Sequence, residues 1–348
     1  MLDPSKKTTI PPEWAPHKAM WTAWPSHPNL WKENLEGARA EVAAMVRVLA
    51  DGEDMKVLAC GEEAMASARA AIGDCARIIP ANFGDIWVRD TGPIFAFSGE
   101  RPVALRFVNN GWGNKYVLPG DNTVGDAIAL AAGVETVRFD FVLEGGAVEM
   151  NGEGWLFSTM ECVLNANRNY WEEKAAIRAL HGAFQCSRVS WLENGLMNDH
   201  TDGHIDNLLR FIARNVVVIQ LPSGDDDPNA ELYLNILKEV QTMNVLIQCI
   251  QSPGRICDDD GRVMPASHLN FVIGNKAVVI PVYGEEYGNS VVAKFKDFFP
   301  KHNVVGLPSK HLLSGGGSFH CITQQEPAAP DFELMRSKSF LPFKSKKQ

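Results

Sequence analysis

The 348-residue sequence has no run of 18 uncharged apolar residues, no apolar stretch behind its Met1-Leu2-Asp3-Pro4-Ser5-Lys6-Lys7 start, and no surplus of basic charge. The first two absences argue against a membrane-spanning helix and a secretory signal, so a soluble cytoplasmic protein is expected, with no membrane partner. The third argues against nucleic acid, because a phosphate-binding surface needs an excess of lysine and arginine, whereas the formal net charge here is −9. Five basic residues, Arg336, Lys338, Lys344, Lys346 and Lys347, crowd into the end of the chain; subtracting these five from −9 leaves −14 for everything before them. An acidic body suits a cationic small substrate. Cysteine pairing is also missing: the seven cysteines contain no C-x-x-C and their number is odd, which reads as reduced thiols. No Pro/Gly/Ser-rich linker divides the chain. A single domain over residues 11–330 is therefore expected, after an N-terminal extension (1–10) and before a basic, disordered tail (331–348).

What is present is a repeat. The chain opens strand, helix, strand, helix, strand, through Met20 to Trp24, a helix capped by Asn34 with apolar Leu35, Ala38, Val42, Met45 and Leu49, then Met55 to Cys60, Glu62 to about Ile72, and Ala76 to Pro80. After that, one unit recurs. Tight turns at Ser98-Gly99, Asn151-Gly152, Arg214-Asn215 and Gly274-Asn275 each join two short apolar strands, and their first residues are separated by 53, 63 and 60 positions. Helices are expected between them, at about 122–132, 170–181, 229–242 and 290–299. Joining the N-terminal strand to the glycine-rich C-terminal segment makes a fifth unit. The spacing predicts an α/β protein of five ββαβ modules closed into a ring, with the hairpin entrances converging on its axis.

Those entrances carry unusual residues. Arg89-Asp90 reads as a strand end, Glu144 precedes Gly145-Gly146, and His204 and Asp206 alternate so as to share one face of a strand. Cys321 enters from the fifth module behind Gly315-Gly316-Gly317, glycines that let the backbone approach a ligand closely. Each has an ordinary reading: Asp90 as a partner of Arg89, Glu144 as a cap, His204-Asp206 as a hydrogen-bonded pair, Cys321 as a small buried hydrophobe. Together, at equivalent positions of a repeat, they read as a site. A thiolate nucleophile needs a proton-relaying histidine, and carboxylates beyond the one that orients it suit a planar cation: a guanidinium pairs with carboxylates through its forked N–H groups while sulfur attacks from above the plane. Cys60, Cys75, Cys162, Cys186, Cys249 and Cys257 read as structural.

Four segments, Asp85-Ile86-Trp87-Val88-Arg89-Asp90-Thr91-Gly92-Pro93, Leu143-Glu144-Gly145-Gly146, Gly203-His204-Ile205-Asp206-Asn207 and Gly315-Gly316-Gly317-Ser318-Phe319-His320-Cys321-Ile322-Thr323-Gln324-Gln325, resemble the agmatine deiminase/bacterial-type peptidylarginine deiminase family, in that family's order. The resemblance runs from about Pro11 to Pro327. It implies the five-bladed α/β propeller of the guanidino-group-modifying enzymes and cofactor-free, metal-free hydrolysis of a guanidinium, agmatine in the first place. By the same resemblance Cys321 is the nucleophile, His204 the general acid/base, Glu144 its orienting residue, and Asp90 and Asp206 the guanidinium clamps. Two departures, Asn109-Asn110-Gly111-Trp112-Gly113 and Ser318-Phe319, fall near the expected pocket and leave the substrate's tail open. Trp87, Trp112, Asn109 and Gly317 are the candidate lining residues, and Arg168 is the cation that would admit a carboxylate-bearing tail. The rival readings are a deiminase of arginine or peptidyl-arginine, a metal hydrolase using His204, Asp206, Asp90 and Glu144, and a non-catalytic propeller. A homo-oligomer is compatible with the sequence and not fixed by it.

Overall fold

The computed structural model describes residues 8–284 and 286–329, so the basic tail lies outside the described residues. Five small sheets are arranged as successive modules. In the first, Ile94–Ser98 turns back antiparallel onto Arg101–Val108, and the helix Asp121–Ala132 then carries the chain across to Glu135–Val142, which pairs parallel with Arg101–Val108. The same antiparallel-then-parallel order recurs at Trp155–Thr159, at Val216–Leu221 and at Ala277–Val282, whose parallel partners are Arg188–Leu192, Leu246–Gln251 and Asn303–Pro308. In the fifth module the chain's two ends meet: Thr323–Pro327 pairs antiparallel with His17–Ala23, which runs parallel to Met55–Ala59. That pairing closes the ring. The expected modules, turns and helices are present, the helices lying at Asp121–Ala132, Glu173–Phe184, Ala230–Gln241 and Gly288–Phe298. Thr8 and Thr9 add an edge to the first module opposite Ser98 and Phe97, so pairing begins before Pro11.

The central strand of each module is a near-continuous apolar run because it has neighbours on both edges and packing on both faces. His17–Ala23 is an example, with Ala19 to Ala23 fully buried, and Trp21 packs beneath the fifth sheet where truncation to alanine would cost about 3–5 kcal/mol. The outer helices present one apolar stripe each. Leu35–Leu49 buries Ala38, Val42, Met45, Val46 and Leu49 at helical spacing against Ala277–Val282 and Asn303–Pro308 of the neighbouring module. Asn34 does not cap that helix: its backbone is already helical, and its side-chain oxygen meets His311 Nδ1 at 2.8 Å.

The first strand of each hairpin lies toward the axis. Thr323–Pro327 touches Ile94–Ser98, and Glu149–Met150 touches Leu209–Ala213. Polar residues at these inner ends are paired across modules. Arg210 is fully buried; its guanidinium donates to Glu149 Oε2 (3.1 Å), to Glu13 Oε2, and to the carbonyls of Leu269 (3.0 Å) and Phe271 (2.9 Å).

Candidate active site

The residues nearest the axis are held by tight helical turns. Val88–Thr91 is one helical turn, and Gly145–Ala147 and Ile205–Asn207 are 3₁₀ turns. Asp90 therefore does not end a strand, and His204 and Asp206 do not share a strand face. They converge because each turn bends the chain at the axis before its hairpin starts.

Cys321 Sγ receives a hydrogen bond from Asn270 Nδ2 at 3.1 Å and lies 3.8 Å from Asp206 Oδ2. Asn270 Oδ1 in turn accepts from the backbone N–H of His320 (3.0 Å) and Cys321 (3.2 Å), so one amide fixes both the sulfur and its backbone. Asp90 closes the other side: Oδ1 accepts from Gly146 N (2.9 Å), Oδ2 from Trp112 Nε1 (2.8 Å), and His204 Nδ1 is 3.7 Å away. A Cβ on Gly146 would come within 2.5 Å of His204 Nδ1 and 3.0 Å of Asp90, so only glycine fits between them. At Gly317 a Cβ would lie 3.1 Å from the Cys321 sulfur and 2.8 Å from the Trp87 ring, so glycine keeps the space over that sulfur open.

Among the described residues, two buried groups here lack a protein hydrogen-bond partner: Asp206 Oδ1 and, apart from the Cys162 thiol beside it, the ring of His204. Buried polar atoms are ordinarily satisfied, so each orphan marks a place for an incoming group. Burial, with Asp206 and Asp90 alongside, pushes the Cys321 thiol well above its usual range. His204 is also raised: burial opposes the imidazolium, but the Asp90 carboxylate, Cys162 and Glu144 outweigh it. Burial pushes Asp206 up, yet the His320 hydrogen bond and neighbouring positive charge bring it below the ordinary aspartate value. Glu144 is raised by burial, against the pull of Arg168.

The mouth of the site is a cavity of about 300 Å³ lined by Leu30, Trp31, Asp85, Trp87, Asp90, Trp112, Tyr116, Leu118, His200, Thr201, Ser314, Gly315, Gly316 and Cys321. Trp87, Trp112, Asp90 and Cys321 thus line one cavity. Trp112 does so at φ +52°, a left-handed conformation unfavourable for a bulky side chain, with Gly111 and Gly113 also at positive φ. That strain aims the indole N–H at Asp90. Asn109 is not in the lining; its side chain accepts from Gly111 N (2.8 Å), and Asn110 caps the same turn through Gly113 N (2.9 Å). Nor does the second departure reach the pocket: Phe319 is fully buried in the core and Ser318 bonds Ser309 (2.6 Å).

Glu144 does not hydrogen-bond His204. Its Oε1 accepts from Arg168 Nε at 2.8 Å, and one oxygen comes within 4.8 Å of a His204 nitrogen. Arg168 spends its remaining donors on Asp202 Oδ2 (2.8 Å), Asn167 Oδ1 (2.8 Å) and the Thr201 carbonyl (3.0 Å). Arg89 faces the other way, toward the His320 carbonyl and Gln325. Asn270, His320, Glu13, Trp31 and Asp85 were not singled out from the sequence. Asp85 had a signal, since it begins the quoted Asp85–Pro93 segment; Glu13 and Trp31 lie far from every motif.

Residues 9–327 match the Porphyromonas-type peptidyl-arginine deiminase family. The chain belongs to it. Among curated relatives, the agmatine deiminases of Stutzerimonas stutzeri and Pseudomonas aeruginosa are 34% and 33% identical, each over 92% of this chain and 95% of the relative. Among solved structures, a cysteine-to-serine variant of C. jejuni agmatine deiminase with substrate bound superposes with a TM-score of 0.89 at 25% identity, over 94% of this chain and 99% of that one. The five-module ring is accordingly the pentein fold of these deiminases. No helix among the described residues is long and apolar enough to cross a membrane.

Proposed function

We propose that this family member hydrolyses agmatine to N-carbamoylputrescine and ammonia. The guanidinium lies flat between Asp90 and Asp206, giving an N–H to the orphaned Asp206 Oδ1. Its positive charge offsets the two carboxylates that hold the Cys321 thiol protonated, the thiol proton leaves to solvent through the mouth that Cys321 lines, and the Asn270 amide supports the thiolate that results. The sulfur adds to the guanidinium carbon, forming a C–S bond. His204, held as an imidazolium in this acidic setting, gives its proton to the departing nitrogen, and the C–N bond breaks to release ammonia. A water then adds to the amidino-thioether carbon while His204 takes one of its protons; the C–S bond breaks, the remaining hydroxyl proton passes to the departing sulfur to restore the thiol, and the neutral ureido product leaves. Glu144 sets the charge around His204, and no step requires a cofactor.

Agmatine is favoured over arginine by what lines the mouth. Among the described residues its lining includes no lysine or arginine, and Arg168 is engaged by Glu144, Asp202 and Thr201. The decarboxylated tail ends in an ammonium, which suits the rings of Trp31, Trp87, Trp112 and Tyr116 and the Asp85 carboxyl. A substrate α-carboxylate would be buried unpaired there. The observation that carries the reading is the pair of buried aspartates flanking Cys321 beneath a mouth that no lysine or arginine lines among the described residues.

Ammonia release from agmatine, free arginine and an arginine peptide tests it. Agmatine should be preferred over arginine by at least about a hundredfold in kcat/KM. Comparable turnover of arginine or the peptide, removed selectively by Arg168→Ala, would replace agmatine as the substrate. Polyamine synthesis in the cytoplasm is the setting this product suits.

A further inference from the structure

Cys162 has no part in the reaction above, yet it stands against the acid/base. It follows the strand Trp155–Thr159 in the short helix Met160–Val163 and is fully buried. Its sulfur, one oxygen of Glu144 and one ring nitrogen of His204 all lie within 4.8 Å of one another. His204 is fully buried and, among the described residues, neither ring nitrogen has a hydrogen-bond partner outside this cluster, where the Cys162 thiol faces it, so the cluster includes a metal-ligating atom aimed into it.

We propose that Glu144, Cys162 and His204 form a three-ligand inhibitory site for a thiophilic divalent ion, zinc in the first place. One sulfur, one nitrogen and one oxygen are zinc's ordinary donors, and three protein ligands leave the fourth tetrahedral position for water. Bonds of about 2.0–2.3 Å place tetrahedral donors roughly 3.3–3.8 Å apart, so the cluster closes on an ion by shifts on the order of an ångström. Charge agrees as well: a thiolate and a carboxylate match the ion's two positive charges, and Arg168, which already pairs with Glu144 Oε1, also pairs with Asp202, leaving the second Glu144 oxygen for the ion. Hard ions such as magnesium are excluded by the sulfur and the imidazole. Binding releases the Cys162 thiol proton and the His204 imidazolium proton, and no oxidant or reductant takes part. With its lone pair on the ion, His204 can neither give a proton to ammonia nor accept one from water. The kinetic consequence rests on the reading of His204 as acid/base; the binding does not.

The test is a cobalt titration of the purified full-length protein, followed by zinc. Wild type and Cys321→Ser should both develop thiolate-to-cobalt charge-transfer absorption at one equivalent, zinc should abolish it by displacement, and Cys162→Ala and the closer-fitting Cys162→Ser should not develop it. Zinc should inhibit agmatine turnover, a chelator should restore it, and either Cys162 variant should need at least about tenfold more zinc for half-inhibition. Melting curves without metal establish that the variants are folded. Absence of the band in wild type at stoichiometric cobalt would overturn the site. So would a band that survives Cys162→Ala and vanishes in Cys321→Ser, since the ion would then sit on the nucleophile. Because the band is read without substrate, a protein that binds cobalt but ignores agmatine would sink the proposed reaction and leave this site standing.

Discussion

Cys321 illustrates how a residue's surroundings set its chemistry. A thiol that is buried beside two carboxylates gives up its proton reluctantly, so in the proposed reaction Cys321 becomes a nucleophile only once a cation arrives. Near neutral pH, neutral iodoacetamide should therefore alkylate Cys321 slowly, and cationic chloroacetamidine at least about tenfold faster. Cys321→Ser should abolish turnover and the reaction with chloroacetamidine while leaving the melting curve in place; labelling at another cysteine in that variant would move the nucleophile elsewhere. His320 directly precedes Cys321, and on a single strand the two side chains would point to opposite faces. Its Nδ1 is 2.7 Å from Asp206 Oδ2 and its Nε2 is 3.0 Å from Glu13 Oε2, which fixes the aspartate from behind. His320→Gln should raise KM for agmatine and lower kcat, each by about tenfold or more, because Asp206 loses the partner that orients it. An unchanged KM would show that Asp206 holds its position without His320.

Among the elements, the hairpins were legible and the turns that carry the site were not. Ser98-Gly99, Asn151-Gly152 and their counterparts are turns by local chemistry, and the alternation of short apolar strands with periodic helices follows from burial. The Val88–Thr91 and Ile205–Asn207 turns carry no such mark, and their residues read equally well as strand ends. The left-handed Trp112 is likewise invisible, since a bulky residue at positive φ contradicts local preference and is held by tertiary packing in the core and the hydrogen bond to Asp90. Asp121, the first residue of the helix Asp121–Ala132, shows how such a turn is anchored. It accepts from Gly84 N (2.8 Å) and Asp85 N (3.2 Å), holding the segment that bears Trp87. Burial raises Asp121 to about 6, with a contribution from the Asp85 carboxylate. A folded-state value above the unfolded one means that the folded chain binds the proton more tightly, so this group loses stability as pH rises from about 4 to about 6. Asp121→Asn keeps the acceptor oxygen and removes the charge. Its melting temperature should match wild type near pH 4 and exceed it near pH 8. A lower value near pH 8 would mean that the carboxylate, and not the acceptor, secures the loop.

At the scale of the whole molecule, five sheets meet at an axis that cannot be closed by apolar packing alone, because inner strand ends expose backbone and carry charge. Arg210 is the device that joins them. It belongs to the third module and reaches Glu149 of the second, two carbonyls at the start of the fourth, and Glu13, which lies just ahead of the chain's first central strand and also binds Ile273 N (2.7 Å) and His320. No sequence pattern announces this, since Glu13, Glu149, Arg210 and His320 are separated by tens to hundreds of residues. Glu13 is buried, which pushes its carboxyl up, but Arg210 and His320 together bring it far below the ordinary glutamate value. A depressed carboxyl contributes stability above its unfolded value of 4.5 and loses that contribution as pH falls below it. Arg210→Met should accordingly strand Glu13 and Glu149 as unpaired buried charges near neutral pH, costing about 3–5 kcal/mol, on the order of 5 °C in Tm for a chain of this size. Near pH 4 the difference from wild type should shrink, because protonated glutamates need no cationic partner. Adding Glu13→Gln and Glu149→Gln to Arg210→Met should recover part of the loss at neutral pH, because the same buried charges are then absent. A melting deficit that is equal at both pH values and is not relieved in the triple variant would mean that Arg210 acts through its packing and its two carbonyl hydrogen bonds, and that the ring is closed without help from its central charges.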